Sequence, residues 1–394
     1  MTAGFWTRLE IFSTLATMHS STKRLGWFVV LLSALAVPLL APNARAADRI
    51  VLRNLKIIGD REIKAWDEGG VRLDDERLIT WDEIERATLA PERQVEFDKL
   101  LKELGEPLYR IRQRLKVGDY AGLHTPAEAV WPRYSGRRGE SAYLVTQAVM
   151  WSRLARGERE AAVAPYLQCF ALLRGKAKDE VQLPGTRRLT FDPQTGLTSE
   201  LAPIWFDSAA AKQALPEVLR ATGALAEPRP EGARVYYGTL ALATGETEAG
   251  LKVLNGVSNK SRAVAELRDI ALAQHEIQSG QPGPALAKLE RQAESLLPAN
   301  QPLAIYWLAY AKLTSTNERL QREGILQALH LPALYGSSHA ELAGAGLYQA
   351  RAAFDKLNDA RSSAAVRKEL LLKFPQTFHA AKVRAEPDDA SAPK

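Results

Sequence analysis

The chain has 394 residues, 46% hydrophobic and 25% charged, with 52 basic against 46 acidic side chains and a net charge of +6. That length and apolar content can bury a sizeable core, and the near balance of charge does not fit a protein built around nucleic acid. A single cysteine, Cys169, excludes an intrachain disulfide, so stability must come from burial.

The first segment carries an address. Lys23-Arg24 precede an apolar run from Leu25 to Leu40, broken at Pro38, and Ala44-Arg45-Ala46 sets small residues at the two positions a signal peptidase reads. We read residues 1–46 as a cleavable signal peptide, with Met18 as a candidate true start. The run is shorter than the roughly 20 residues a bilayer span needs, so a retained anchor is the alternative. No cysteine ends the run, which leaves lipid attachment without a site. The expected location is periplasmic or secreted, with no integral membrane span after cleavage. Without residues 1–46 the balance is 48 basic to 45 acidic side chains.

Residues 47–90 read as a small β-module. Ile50–Leu52, Leu55–Trp66, Val71–Leu73 and Leu78–Trp81 alternate like strands, separated by turn chemistry at Asp67-Glu68-Gly69-Gly70 and Asp74-Asp75-Glu76. Ile58, Trp66, Trp81 and Ile84 are its expected core. Such a sheet or SH3-like barrel is marginal alone and should pack on the helices that follow.

Helical periodicity starts at Pro91, which suits a first turn with Glu92 beside it. Val95, Phe97, Leu100, Leu101 and Leu104 predict one apolar face ending at Gly105. A second helix runs from Pro107 through Leu108, Ile111 and Leu115 to Gly118. Cys169 lies in an apolar helical stretch, Ala164–Leu173, and reads as a small core residue. Seven basic residues gather here: Arg110, Arg112, Arg114, Lys116, Arg133, Arg137 and Arg138. They are either a solvated face or a weak site for an anionic envelope polymer or lipid. Residues 91–173 form the first helical part.

Residues 174–232 interrupt that pattern. Leu189-Thr190-Phe191, a turn at Asp192-Pro193-Gln194-Thr195-Gly196, and Leu197-Thr198 predict a β-hairpin. Helix resumes at Pro203 or Ser208, and Glu227–Gly232 is the best linker candidate in the chain.

From 233 to 385 the spacing becomes regular. Turn positions fall at Gly118, Gly157, Gly245, Gly280, near Ser315 and at Asn358, with 35 residues from Gly245 to Gly280 and 35 again to Ser315. The later helices are expected to stop at Leu297-Pro298, Leu331-Pro332 and Phe374-Pro375. A unit of about 34 residues made of helix, turn, helix and closing proline resembles the tetratricopeptide repeat. Further matches are Gly118-Asp119-Tyr120, Gly238 in a first helix, Ala285 in a second, and the run Lys368–Pro375, which looks like the repeat ends of periplasmic members serving envelope assembly. The resemblance implies a mostly α fold: a right-handed, TPR-like helical-repeat superhelix carrying the β-module and the hairpin insertion. Residues 386–394 are expected to be a disordered tail.

A search for chemistry returns little. His124, His275, His330, His339 and His379 stand in no ligand spacing, so no metal, cofactor or catalytic residue is assigned. Asp192 reads as a turn residue, not a calcium ligand. Gly139-Glu140-Ser141 resembles a fragment of a lytic transglycosylase motif, with no counterpart to the rest of that domain. Tyr236-Tyr237 and Tyr306-Trp307-Tyr310 lie on first helices, where aromatics fill space between helices or line a concave groove. Residues 302–311 are therefore the first groove to inspect. The expected function is a non-catalytic protein–protein scaffold or peptide-binding protein of the cell envelope. The alternative is an envelope enzyme or polysaccharide-binding protein with its site in 174–232 or the β-module.

Overall fold

The computed structural model describes residues 48–174, 183–281 and 283–386. The signal-peptide segment and residues 387–394 of the expected tail lie outside the described residues. Six short strands open the chain: β1 (Arg49–Leu52), β2 (Ile57–Ile58), β3 (Ile63–Asp67), β4 (Gly70–Leu73), β5 (Leu78–Ile79) and β6 (Ile84–Thr88). They make two antiparallel three-stranded sheets, ordered β2-β1-β6 and β3-β4-β5. The expected long strand Leu55–Trp66 is thus two strands in different sheets, and Leu55 between them takes a positive φ of 68°. Trp81 sits in a single 3-10 turn (Trp81–Glu83) and is fully buried with Ile50, Ile63, Val71, Leu73 and Ile84.

The module is bolted to helices, as so small a sheet requires. Its core continues into Phe97, Leu104 and Leu108. Trp81 donates its indole N–H to the Asp67 carbonyl at 2.7 Å, and Tyr134 donates to Glu68 O at 2.5 Å. Arg112 bridges the buried Asp82 to Glu140 across the same seam.

Helix α1 (Pro91–Leu100) does not stop at Gly105. It passes through one π-helical turn, Leu101–Gly105, straight into α2 (Glu106–Val117). Gly105 has ordinary helical dihedrals, and a Cβ there would lie 3.1 Å from the Trp81 carbonyl. Its role is close approach to the β-module, which overrides its tendency to end a helix. Phe97 and Leu104 are buried as expected, whereas Val95 is exposed.

The remaining helices are α3 (His124–Tyr134), α4 (Glu140–Ala155), α5 (Arg159–Leu173), α6 (Ser208–Gly223), α7 (Glu231–Thr244), α8 (Thr247–Asn255), α9 (Arg262–Gln278), α10 (Pro284–Gln292), α11 (Gln301–Leu313), α12 (Glu318–Tyr335), α13 (Ala340–Lys356), α14 (Ala360–Lys373) and α15 (Phe378–Ala385). Every turn position read from the sequence lies between two helices. Five share one hydrogen-bond pattern. Gly118, Gly157, Gly245, Gly280 and Asn358 adopt φ between 59° and 85°. Each donates three residues back, while the next residue donates five back, as in Asn358 to Asp355 O (3.1 Å) and Asp359 to Phe354 O (2.9 Å). These paired bonds close the last carbonyls of a helix and demand a left-handed residue. In the second half, α7–α8, α9–α10, α11–α12 and α13–α14 pack as pairs, and the first helix of each pair also rests on the next: α7 on α9, α9 on α11, α11 on α13.

Two expectations fail locally. Pro332 does not end α12, which continues to Tyr335. The ring leaves Ala328 O without its helical donor, and α13 comes nearest there: a Cβ on Gly346 would lie 2.5 Å from that oxygen. The hairpin at 189–198 forms its turn but no strands. Asp192 and Leu197 are bonded (2.9 Å), and Asp192 Oδ1 accepts from Gln194 N (2.8 Å). Beyond the turn, Thr198 bonds Thr190 O through its side chain, and its N–H goes to Tyr236 Oη, so no ladder continues.

Gly346→Ala should therefore destabilise the fold by about 1–3 kcal/mol through overpacking. Gly223→Ala, where an added Cβ meets nothing within 4 Å, should gain about 0.4–1 kcal/mol. Urea unfolding of both variants checks the pair.

Candidate functional site

Helices α5 and α6 run in the same direction. At their starts Asp207 N donates to Glu160 Oε1 (3.4 Å); at their ends Arg174 donates to Ala226 O (2.9 Å) and Pro228 O (2.9 Å). Residues 183–207 therefore belong to a connection that returns along the helices. Several of its carbonyls and amides are bonded by side chains. Tyr166 donates to Gly196 O (2.7 Å), Tyr236 to Leu201 O (2.9 Å), and Arg159 to Ala202 O (3.0 Å). Leu201, Ile204 and Trp205 are buried, and Trp205 Nε1 donates to Thr239 Oγ1 at 2.9 Å.

This arrangement opens a cleft of about 730 Å³ at the N-terminal ends of α5 and α6, walled by α3, α13 and α15. The wall closes where the α4–α5 turn meets the turn before α15: a Cβ on Gly157 would lie 2.9 Å from Gln376 O. A hollow of about 270 Å³ adjoins it and shares Gly157, Arg159, Glu341, Gln376 and Thr377.

Arg159 stands between the two spaces, and its Nε is buried without a hydrogen-bond partner. Two carboxyl groups flank the site. Glu160 is buried, and burial raises its pKa above the ordinary value of 4.5 against the pull of Arg159. Glu341 accepts from Phe378 N at the first turn of α15 (3.2 Å); burial raises its pKa too, with Arg159 opposing and Glu160 adding. Opposite them Arg153 grips Glu128 with two bonds (2.8 and 3.0 Å) and donates to Ala161 O (2.8 Å). Phe206 and Phe378 add apolar wall. Behind them His379 is caged by Phe206, Tyr348 and Phe378 at 4.7, 4.9 and 5.3 Å. Burial, then Lys382, lowers its pKa to about 4, so it is neutral at physiological pH.

Of the two readings of the aromatics at 302–311, core packing holds for Tyr306 and Trp307. Tyr306 and Trp307 are buried in the second core, packed on Phe206 and on each other, so they fill space between helices. Tyr236 is buried as well. Cys169 is fully buried, and burial pushes its thiol pKa up, away from nucleophile chemistry. His124 lines the cleft and His339 the hollow, while His330 is exposed; no group of three metal-ligating side chains occurs among the described residues. Of the seven clustered basic residues, Arg110, Arg112, Arg114, Arg133 and Arg137 are taken up in ion pairs. Sequence reading missed Arg159, Glu160 and Glu341. Their signal was charge at the first turn of helices whose other residues are mostly apolar.

No family model matches this chain, and no curated protein or solved structure matches it either.

The raised carboxyls fix a sign for pH dependence. A carboxyl whose folded pKa exceeds its unfolded value stabilises the fold at low pH, and that stability is lost as pH rises from the unfolded value through the folded one. Glu160→Gln and Glu341→Gln keep an acceptor and remove the charge. Each should reduce the decline in unfolding midpoint that wild type shows as pH is raised above 4.5. Urea midpoints measured across pH for each variant against wild type check this.

Proposed function

We propose that the chain is a non-catalytic interaction protein of the cell envelope that holds an extended segment of a partner protein in the cleft beside α5, α6 and α15. The observation carrying this reading is the cleft itself, large, open and lined by donors and acceptors of both signs. An extended peptide presents alternating donors and acceptors along its backbone, and a wall that mixes Glu128, Arg153, Arg156, Asp207, Gln213 and Glu217 meets both. Phe206 and Phe378 offer apolar contact for its side chains. The stacked helix pairs and their repeated turns support the TPR-like superhelix as the scaffold, an architecture suited to presenting extended surfaces. The envelope location rests on the residues 1–46 pattern, and no helix among the described residues is long and apolar enough to cross a membrane.

A second reading draws on one observation: residues 199–207 of the insertion line the same spaces as the two raised carboxyls. It makes the protein an envelope enzyme or polysaccharide binder. Cleavage of a cell-wall polymer that Glu341→Gln abolishes, with binding kept, would favour it.

A photoreactive residue at Gln213 should crosslink a partner protein in intact envelopes, whereas one at the exposed Leu326 on α12 should not. Arg156→Glu with Glu217→Lys should abolish the crosslink. Equal crosslinking from both positions, or none from Gln213, contradicts the proposal.

A further inference from the structure

A second cavity of about 750 Å³ lies along the C-terminal halves of α5 and α6, ended by α3 and the loop before α4. Its floor and rim differ in chemistry. The floor is apolar: Leu167 and Leu172 from α5, with small side chains at Ala171, Ala221 and Ala224 that keep the trough open. The rim is cationic, with Arg137 and Arg138 on the loop and Arg174 and Arg220 at the ends of the two helices. Glu217 is the one acidic side chain on this lining, and it lies 3.7 Å from Arg153 on the cleft side.

The four guanidinium groups are not equally engaged. Arg137 pairs with Glu68 at 3.0 Å, and Arg174 is held by two carbonyls. Arg138 has no hydrogen-bond or ion-pair partner among the described residues, and Arg220 makes only a 3.4 Å contact to Pro216 O in its own helix. Two cations thus stand over an apolar trough without a counterion. Both line the same cavity, so an anion seated there can take charge-assisted bonds from them.

We propose that this trough binds an anionic amphiphile, a phosphate-headed lipid whose head lies among the arginines and whose acyl chain lies along the alanine-lined floor. A bare anion would satisfy the rim and leave the trough empty. A neutral chain would fill the trough and leave the rim unpaired. The volume falls in the range of sites that bury a small ligand, about 300–1,000 Å³. Of the residues lining the trough, Glu217 alone also lines the peptide cleft, and the lipid proposal does not rest on the peptide reading.

The test uses the full chain and three probes followed by isothermal titration: lysophosphatidylglycerol, lysophosphatidylcholine with the same chain, and inorganic phosphate. We expect saturable one-to-one binding of lysophosphatidylglycerol below its micelle concentration, weakening with added salt. Lysophosphatidylcholine has the same phosphodiester but adds a quaternary ammonium that the arginine rim repels, so it should bind at least about tenfold more weakly. Inorganic phosphate has no chain to bury in the trough and should show no saturable binding. Arg138→Glu with Arg220→Glu should weaken the anionic lipid by about a hundredfold for two such bonds. The melting temperature should stay at the wild-type value, because neither side chain holds the fold. Equal affinity for both lysolipids, unchanged affinity in the double variant, or phosphate binding as tightly as the lipid each overturns the proposal. So does tighter binding of an acidic decapeptide than of lysophosphatidylglycerol. Should the double variant melt early, Arg138→Gln alone provides the same comparison.

Discussion

A stretch of irregular chain between two helices cannot be buried unless something else takes its backbone hydrogen bonds. Residues 195–206 are such a stretch, all buried or half-buried except Ser199 and bonded by side chains of α5 and α7. Tyr166 and Tyr236, both fully buried with rings 5.6 Å apart, turn their hydroxyls onto Gly196 O, Leu201 O and Thr198 N. Arg159 takes Ala202 O, and Trp205 anchors to Thr239. An unmade hydrogen bond at a buried carbonyl or amide costs about 1–3 kcal/mol, so a few such bonds decide whether the segment is held or released.

The position of that segment sets what is built on it. Because the chain returns along α5 before α6 begins, the two helices run parallel and their N-terminal ends stand side by side. The cleft forms there, and the lipid-sized trough forms at the other ends. Ile204 belongs to the core of the second half, while Leu201 and Trp205 belong to the first. The segment thus joins α7, which gives Tyr236 to the first core and Val235 to the second, in linking the two cores. Arg159 works on both sides of this junction, bonding the wedge and lowering the proton affinity that burial gives Glu341.

What the sequence disclosed follows the range of the forces involved. The helix turns were legible because a left-handed residue closing a helix is a local requirement, met by Gly118, Gly157, Gly245, Gly280 and Asn358 alike. Gly105 and Pro332 misled for the converse reason. Each looks like a local stop, yet each is placed by a neighbour, the Trp81 carbonyl in one case and the approach of Gly346 in the other. The 189–198 turn was legible from Asp192 and Gly196, but the strands beside it were lost to Tyr236, a partner some 38 residues away. Tyr306 and Trp307 were weighed as groove or core, and only their tertiary neighbours decide for core. The site was least legible. Arg159 and Glu160 sit in one helix turn and Glu341 lies far along the chain, and no spacing rule links them.

The most direct test is amide hydrogen exchange over residues 195–206 in wild type and in Tyr236→Phe. Tyr237→Phe, whose hydroxyl makes no hydrogen bond among the described residues, serves as the control. If buried hydroxyls hold the segment, its amides exchange slowly in wild type. They then exchange about tenfold faster or more in Tyr236→Phe, and the control is unchanged. Fast exchange of the segment in wild type, or equal protection in all three proteins, would contradict the account.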